Sequence, residues 1–540
     1  MKRVALALVC SLLLTALTLA APLIPTDWAR LNGEGVYVPQ RVTYAWPSYA
    51  AQVGLWVGMV VMILNPSPLP LPRTRRGGEK PEHRDSGWPL IAITILGFGL
   101  RVHTLGDLPL IVDEIGFAAH ASDILHGQHV PIFAPGHNAF PSVYSWLTAL
   151  SMALFGQNTF SMRLIPLVAG MLSIPAVYLL GRVWWSPRVG LLAAAFLATY
   201  PAHVFYSRMA LNNAVDPVFT TLALVYLWRA LKRGRRSDYV KAGMMGAVGQ
   251  YFYQGARLVV VLMGLLAVGN WLLERREKAQ RKDAKGQRDK DIVSGSWWMS
   301  LSLALMALPP LAAMAVGRLP LSGKGEALRL PADFFPENTL RAVLGWVGQP
   351  DVSPFWLSDA PLLLTPALLV FLAGLAVSLR RWRDARYGVL VASVALATIF
   401  GGAIWTAAPL YVRYMTVAPA VALLVGVGLS AISGQLSAIS FQLSAKKWRS
   451  GFGHVGTVIL AVICVQGVVV SVWAHPTEAR GRITAGQWWV DEAAQQAAGL
   501  SEDAPVTLVA PQVLDELERI TLAHSIAAYG RRRGVALRVK

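Results

Sequence analysis

Three carboxylates stand at the beginnings of two apolar stretches, and they are the first candidates for chemistry. Asp113 and Glu114 precede the helical pattern IGFAAHASDILHG, and Asp216 lies in NNAVDPV. Beside an apolar medium a carboxylate becomes a stronger base, which suits the removal of a proton from a hydroxyl group. The alternative is a local role, since Asp113 and Asp216 can each cap a helix and Glu114 can offset the helix dipole.

Four arginines interrupt apolar stretches and could meet an anion. They are Arg163, Arg208 in YPAHVFYSRMALNN, Arg257 in GQYFYQGARL and Arg413 in PLYVRYMTVAP. A planar guanidinium binds phosphate through paired N–H groups, so several arginines on one membrane face fit a lipid phosphate. The alternative for any one of them is that its charged end reaches the lipid head groups while its stem stays in the apolar layer.

Histidines crowd the stretch that follows Asp113. His120, His126, His129 and His137, together with Asp123, could bind a metal ion. Their spacing fits no standard metal site, and interfacial packing and hydrogen bonding explain them as well. We expect neither a metal ion nor another cofactor.

The composition shows what kind of chain must position these residues. Of its 540 residues 54 % are hydrophobic and 15 % charged, and the mean hydropathy is +0.46. A soluble domain carries roughly 25 % charged residues, and disordered chains are poor in apolar residues. The sequence therefore predicts an all-α polytopic membrane protein. The net charge of +19 indicates basic cytoplasmic loops, and no nucleic-acid partner is expected.

Apolar runs long enough to cross a bilayer predict about thirteen transmembrane helices. The first follows Met1-Lys2-Arg3, and we interpret it as a retained anchor, the alternative being a cleaved signal peptide. The runs lie at 4–22, 49–65, 88–105, 162–181, 189–206, 214–231, 240–256, 257–273, 297–317, 361–379, 387–406, 411–432 and 453–473.

A shorter run, PSVYSWLTALSMALFG at 141–156, is decided by the distribution of charge. With a cytoplasmic amino terminus and this run lying on the membrane surface, most Lys and Arg of the loops face the cytoplasm. If the run crossed, the distribution would reverse, against the positive-inside rule. We predict an interfacial helix within an outer loop, 106–161, that contains no Lys or Arg.

The same topology divides the chain into five parts. VTLVAP in the last part is predicted as a strand and DELERITLAHSIAAYG as an amphipathic helix, which makes a small outer α/β tail. The period-seven repeat at 429–449 is interpreted as a helix extension into the cytoplasm. The parts are 1–87 with two additional helices, the core 88–273, the basic cytoplasmic loop 274–296, the helices 297–473 with the outer loop 318–360, and the tail 474–540.

An ordered set of motifs between about 88 and 231 resembles a known family. A span is followed by Asp113-Glu114, a Pro…Tyr-x-Trp-Leu helix ending in Phe-Gly, Arg163 before a long span, a basic turn, and Asp216-Pro217 at the start of another span. This order resembles the GT-C fold glycosyltransferases of the protein O-mannosyltransferase type, whose bacterial branch includes the lipid A aminoarabinose transferases. The resemblance covers about a quarter of the chain closely.

The resemblance implies roles for particular residues. Asp113 matches the catalytic Asp of the family and Glu114 its motif partner, while Asp216 matches the second outer carboxylate. The family often has Lys ahead of a Pro-Pro pair, where this chain has Phe140 and, for the second Pro, Ser142. The expected donor-phosphate ligands are Arg163, Arg257 and Arg413, and the expected acceptor or substrate-loop residues are His120, His137, Tyr144 and Arg208.

The implied activity is the transfer of a sugar from a polyprenyl-phosphate donor to an acceptor hydroxyl, with inversion. The acceptor would be a protein, a lipid or a polysaccharide, and the site would face outward from a multi-pass protein of the plasma (inner) membrane. Two alternatives remain. A multispan polysaccharide polymerase or ligase would centre its chemistry on 318–360, and a lipid-linked sugar flippase or transporter would move its substrate without forming a bond.

Overall fold

The structure, a computed structural model, describes most of the helical part of the chain. The longer described segments, with gaps at 112, 354, 405–407 and 484, are 2–20, 87–128, 141–280, 287–315, 335–442 and 455–498. The shorter ones are 23–26, 41–44, 50–52, 54–55, 130, 132, 506–510, 522, 525–526, 528–529 and 535–539.

Helices dominate the described residues. In chain order they are α1 (Lys2–Ala20), α2 (Trp88–Val102), α3 (Asp113–Leu125), α4 (Val143–Phe155), α5 (Thr159–Trp184), α6 (Pro187–Thr199), α7 (Pro201–Tyr206), α8 (Asp216–Arg233), α9 (Arg236–Val248), α10 (Leu258–Gln280), α11 (Gln287–Ala315), α12 (Phe335–Leu344), α13 (Thr365–Arg380), α14 (Ala385–Thr398), α15 (Tyr411–Tyr414), α16 (Ala418–Gln442), α17 (Val455–Val469), α18 (His475–Arg482) and α19 (Ala485–Ala498). Short 3₁₀ turns lie at Asn212–Val215, Gly249–Tyr251, Gln254–Arg257 and Met415–Val417, and π-helical segments at Ile399–Ala403 and Val470–Ala474.

Seven helical stretches among the described residues are long and apolar enough to cross a bilayer, which makes this a multi-pass membrane protein. They are Thr159–Trp184, Asn212–Arg233, Gln254–Arg275, Gly295–Ala315, Ala385–Ala403, Tyr411–Gln435 and Val455–Arg482. Shorter apolar helices, α2, α6 and α13, occupy predicted spans, and the span predicted at 49–65 lies mostly outside the described residues. The total of thirteen stays a prediction, as does the surface position of α4.

The predicted span at 189–206 is interrupted. Tyr200 leaves the helical conformation between α6 and α7, with φ −67° and ψ 111°. Pro201 explains the break, because it has no N–H group and disfavours the helical conformation of the residue before it. The carbonyls of Leu197 and Ala198 at the end of α6 accept hydrogen bonds from the fully buried Arg101, which also pairs with His203 Nδ1 at 2.7 Å.

Glycines let helices of the bundle approach closely. A Cβ atom at Gly181 of α5 would lie 2.7 Å from Gly190 Cα of α6, and one at Gly374 of α13 would overlap the carbonyl oxygen of Leu424 on α16. Small residues at such crossings allow backbone-to-backbone packing, which matters where lipid removes the hydrophobic driving force between helices. The starts of α8 and α16 lie next to each other, since Thr416 Oγ1, just before α16, donates to Asp216 Oδ2 at 3.1 Å.

The tail contains both helix and strand. Strand β3 (Val506–Ala510), predicted from VTLVAP, pairs in parallel with β4 (Val535–Val539), which the sequence analysis did not predict. Near the amino terminus β1 (Leu23–Thr26) pairs antiparallel with β2 (Arg41–Tyr44). Of the predicted helix at 515–530 only 522, 525–526 and 528–529 are described, and of the repeat at 429–449 the described part continues α16 to Gln442. The five domain boundaries stay a prediction.

Candidate active site

Glu114 anchors the start of α3 below the surface. Its side chain is fully buried, and its two oxygens lie 2.8 Å from Nε and 2.8 Å from Nη2 of Arg163. The backbone N–H groups of Ala210 and Ile111 also donate to this carboxylate, at 2.7 and 3.1 Å. The guanidinium and the two amides give both oxygens of this buried carboxylate hydrogen-bond donors. Glu114 thus joins the start of α3 to α5 and to the segment that contains Ala210.

Arg163 is equally occupied. Besides Glu114 it donates to the carbonyl oxygens of Leu105, Leu108 and Pro109, at 2.9, 3.0 and 2.9 Å. These bonds use all five N–H donors of the guanidinium. In this structure those N–H groups hold Glu114 and the loop 105–109, and a phosphate-binding role for Arg163 stays a prediction.

Asp216 is buried at the first turn of α8. Its Oδ2 accepts a hydrogen bond from Thr416 Oγ1 at 3.1 Å, and its carboxylate also accepts one from the backbone N–H of Ala256. Gly255 passes so close that a Cβ atom there would lie 2.7 Å from Asp216 Oδ2 and 2.6 Å from Thr416 Oγ1. The other oxygen, Oδ1, is buried and has no hydrogen-bond partner among the described residues. Oδ2 of Asp216 is thus held by hydrogen bonding, whereas Oδ1 is available to accept a hydrogen bond.

Tyr253 interacts with an arginine and with the charges of two of the three predicted carboxylates. Its hydroxyl hydrogen-bonds with the Arg413 side chain. Burial raises the pKa of Tyr253, the charge of Arg413 opposes that shift, and the carboxylates of Asp216 and Asp113 add to it. Such influences require that the charges lie near the hydroxyl. The structure thus pairs Tyr253 with Arg413 within electrostatic range of Asp113 and Asp216, and we call these four residues the carboxylate–arginine cluster.

The loop after α12 reaches the same region through Asp351. Its carboxylate accepts hydrogen bonds from Tyr206 Oη at 3.2 Å and from the Tyr411 backbone N–H at 3.3 Å, and its charge acts on Arg413. Burial raises the pKa of Asp351, and its hydrogen bonds to Ser353 oppose this shift. Asp351 thus braces the segment that carries Arg413.

The remaining predicted arginines lie elsewhere. Arg257 is half-buried, and its Nη2 lies 3.7 Å from Met314 Sδ on α11. Arg208 donates to Thr104 Oγ1 at 2.7 Å and lines a cleft of about 520 Å³ together with Asp107, Arg163 and Arg480. Burial and the charge of Arg163 lower the pKa of Arg208 to about 10. Arg413 is therefore the predicted phosphate ligand whose hydrogen-bond partner, Tyr253, also lies within range of the charges of Asp113 and Asp216.

Two other predicted substrate-loop residues are packed side chains. His120 is buried within α3, and Tyr144 is buried on α4 with its ring 5.1 Å from that of Phe117. His137 and His129 lie outside the described residues. Among the residues that the structure describes, no group of three or more His, Cys, Asp and Glu side chains is arranged to hold a metal ion.

Sequence reasoning missed Tyr253, Thr416 and Asp351 as members of this region. Tyr253 and Thr416 stand in the very motifs that singled out Arg257 and Arg413, GQYFYQGARL and PLYVRYMTVAP. A Tyr or Thr at the end of a span has no distinguishing pattern, so the sequence did not single out Tyr253 and Thr416. Asp351 gave no signal, since it is a single acidic residue in a loop.

Comparison with known families supplies the context for this geometry. The dolichyl-phosphate-mannose-protein mannosyltransferase family matches residues 140–281. The undecaprenyl phosphate-alpha-4-amino-4-deoxy-L-arabinose arabinosyl transferase of Pseudomonas aeruginosa PAO1 is 36 % identical over 137 residues, 24 % of this chain and 24 % of that protein. ArnT from Cupriavidus metallidurans, in the apo state, superposes with a TM-score of 0.53 over 84 % of this chain and 85 % of that one, at 17 % identity.

The chain therefore has the fold of this solved structure, and its residues 140–281 are similar to the mannosyltransferase family. The oligosaccharyltransferase of Archaeoglobus fulgidus shares this fold, with a TM-score of 0.53 and 14 % identity over 84 % of this chain and 65 % of its own. The undecaprenyl phosphate-alpha-4-amino-4-deoxy-L-arabinose arabinosyl transferase of Pseudomonas savastanoi pv. phaseolicola is 30 % identical over 174 residues, 31 % of this chain and 32 % of that relative. The matches to these named relatives thus span between a quarter and a third of their length.

Proposed function

We propose that this GT-C protein transfers a sugar from a polyprenyl-phosphate donor to a hydroxyl group of an acceptor. The observation that carries the proposal is the carboxylate–arginine cluster, in which Tyr253 hydrogen-bonds with Arg413 and lies within electrostatic range of Asp113 and Asp216. A general base and a cationic partner for a leaving phosphate are the two groups that such a displacement needs. Both are present without a nucleotide-binding glycine loop, which fits a lipid-linked donor.

In this mechanism Asp113 accepts the proton of the acceptor hydroxyl as its oxygen attacks the anomeric carbon. The bond between that carbon and the phosphate oxygen breaks, and the electron pair leaves with the lipid phosphate. Arg413 stabilises the charge that develops on the phosphate, with Tyr253 orienting the guanidinium. One displacement with one base inverts the configuration at the anomeric carbon.

The other predicted catalytic residues receive narrower roles. Glu114 holds Asp113 in place, because the Arg163 pair and two backbone amides fix the first turn of α3. Asp216 is held by Thr416 and the Ala256 amide, and its uncommitted oxygen suits a hydrogen bond from a sugar hydroxyl or from the acceptor. Arg257 remains a proposed ligand for a more distant part of the donor.

The donor class is supported by the relatives. Several are named for undecaprenyl phosphate-linked aminoarabinose, and the matching family is named for dolichyl phosphate-linked mannose. An archaeal oligosaccharyltransferase of the same fold has been solved with a dolichol phosphate and an inhibitory peptide, at a TM-score of 0.50. We therefore propose a polyprenyl phosphate carrier and an extracytoplasmic site in the inner membrane, where the positive-inside rule places α3 and the start of α8.

The test follows release of free polyprenyl phosphate by the purified protein in detergent. Undecaprenyl phosphate-linked aminoarabinose and polyprenyl phosphate-linked mannose are supplied separately, each with a membrane extract as the source of acceptor. The wild-type chain and a Glu337→Gln control, which alters only an exposed ion pair with Arg341, should release phosphate from at least one donor. Arg413→Gln should release it at least tenfold more slowly. Absence of release with every donor, from folded protein, would support the polymerase or transporter alternatives instead.

A further inference from the structure

The C-terminal tail packs directly on the helix that begins with Asp113. Apolar side chains of α19 and of residues 522–529 are buried in one cluster with side chains of α3 and α4. From the tail the cluster takes Val490, Ala493, Ala494, Ala497, Leu522 and Ile526, and from α3 it takes Ile115, Ala118, Ala119, Ala121 and Ile124. The tail therefore shares one apolar core with α3 and α4.

A polar connection runs through this contact. Tyr529 Oη lies 2.8 Å from Asp491 Oδ1 and 3.1 Å from Thr159 Oγ1 at the start of α5. Gln495 Nε2 donates to Asp491 Oδ2 at 2.8 Å. The Asp491 carboxylate also accepts a hydrogen bond from the backbone N–H of Leu110. Asp491 is 8 % exposed, so these bonds replace nearly all of its water contacts.

Leu110 belongs to the loop that holds Arg163. The carbonyls of Leu105, Leu108 and Pro109 in this loop accept three of the five N–H groups of that guanidinium, and Glu114 accepts the other two. A second tie joins the tail to the same loop, since Arg480 Nη2 of α18 lies 2.7 Å from Asp107 Oδ2. The loop is thus bonded to the bundle on one side and to the tail on the other.

We propose that Asp491 and Tyr529 of the tail are positioning residues, which hold the loop 105–110 against Arg163 and thereby fix Glu114 and the adjacent Asp113. Their hydrogen bonds go to each other, to Thr159 and Gln495 and to the Leu110 backbone, so we infer that their effect on the cluster passes through the loop. Supporting hydrogen bonds of this kind keep a reacting group within a fraction of an ångström of its working position. The consequence for turnover rests on the proposed function, whereas the consequence for the loop does not.

The experiment compares Tyr529→Phe and Asp491→Asn with a matched control, Gln496→Ala, whose side chain is exposed on the same helix. Amide hydrogen–deuterium exchange of the full-length protein in detergent measures the protection of residues 105–111. The release assay measures kcat and the donor KM. Tyr529→Phe removes one hydroxyl and keeps the buried ring, so it decides the question even if Asp491→Asn does not fold.

We expect exchange in 105–111 to become about tenfold faster in both variants, because a hydrogen bond to a carboxylate is lost or weakened. We expect kcat to fall about tenfold with the donor KM within twofold of wild type, since misplacement of a base affects the transition state.

Exchange and kcat equal to those of Gln496→Ala would overturn the proposal. A lower melting temperature with unchanged kcat would overturn it too, by showing that the tail only stabilises the fold. Wild-type protein without turnover would contradict the proposed function alone, and exchange would still decide the role of the tail.

Discussion

At the scale of single residues, the two members of the Asp113-Glu114 motif have different surroundings. Glu114 is buried with four hydrogen bonds, whereas the charge of Asp113 acts on Tyr253 in the carboxylate–arginine cluster. Adjacent residues on a helix point in directions about 100° apart, so one motif can supply a structural carboxylate and, as we propose, a reactive one. The sequence could predict the pair as a unit. It could not assign the roles, because the partners come from distant segments.

Glu114→Gln should lower the stability of the folded protein strongly. The substitution leaves the buried guanidinium of Arg163 without its counter-charge, and removal of one partner of a buried pair costs about 3–5 kcal/mol. Thermal unfolding in detergent measures this effect. Glu337→Gln is the control. It breaks an exposed ion pair with Arg341, four residues later on the same helix, and should leave the melting temperature nearly unchanged. Equal melting temperatures for the two variants would show that the Glu114–Arg163 pair has no structural role.

Gly255→Ala should slow turnover by at least tenfold while the protein stays folded. The added methyl group would lie 2.6 Å from Thr416 Oγ1 and 2.7 Å from Asp216 Oδ2, so the carboxylate must move. The release assay checks the rate, and the melting temperature checks folding. Gly264→Ala in α10 is the control, since a methyl group there meets no atom within 4 Å. If both alanine variants turned over equally, the position of Asp216 would have no bearing on the reaction.

At the scale of elements, hydropathy identified apolar helices but did not show where they are interrupted. The run at 189–206 is apolar throughout, yet Pro201 divides it into α6 and α7. The segment after the break carries Ala210, whose amide binds Glu114. Proline in the run was a visible signal, whereas the buried Arg101 that bonds to the end of α6 could be recognised only once α2 was seen beside it.

Gly374→Ala should destabilise the bundle, because its methyl group would overlap the carbonyl oxygen of Leu424 and push α13 from α16. Overpacking of this kind costs about 1–3 kcal/mol. Thermal unfolding again provides the measurement. Gly434→Ala, at an open position of α16, should be neutral or slightly stabilising. A melting temperature for Gly374→Ala at or above that of the control would contradict the close crossing of the two helices.

At the scale of the whole molecule, the starts of α8 and α16 lie together, and the tail packs on α3 and α4. Charge counting predicts that α3 and the start of α8 lie outside the cytoplasm, and composition alone identified the membrane class. The packing of the tail on α3 was beyond sequence reasoning, because its apolar contacts are spread over short stretches with weak periodicity.

The proposed orientation predicts the labelling of single cysteines in a chain without Cys10 and Cys464. Thr477 and Ser237 are both exposed, and the predicted topology puts them on opposite sides of the membrane. In intact cells whose outer barrier admits the reagent, a membrane-impermeant maleimide should label Thr477→Cys. It should label Ser237→Cys only after the membrane is opened. The reverse pattern would place the cluster on the cytoplasmic side.

The most direct test of the central claim is the rate of polyprenyl phosphate release by Asp113→Asn under single-turnover conditions, with donor binding measured on the same preparation. If Asp113 is the general base, the donor should bind with wild-type affinity and the rate should fall about 10²–10⁴-fold. A rate close to that of the wild-type protein, with donor bound, would contradict the account and move the base to another residue of the cluster.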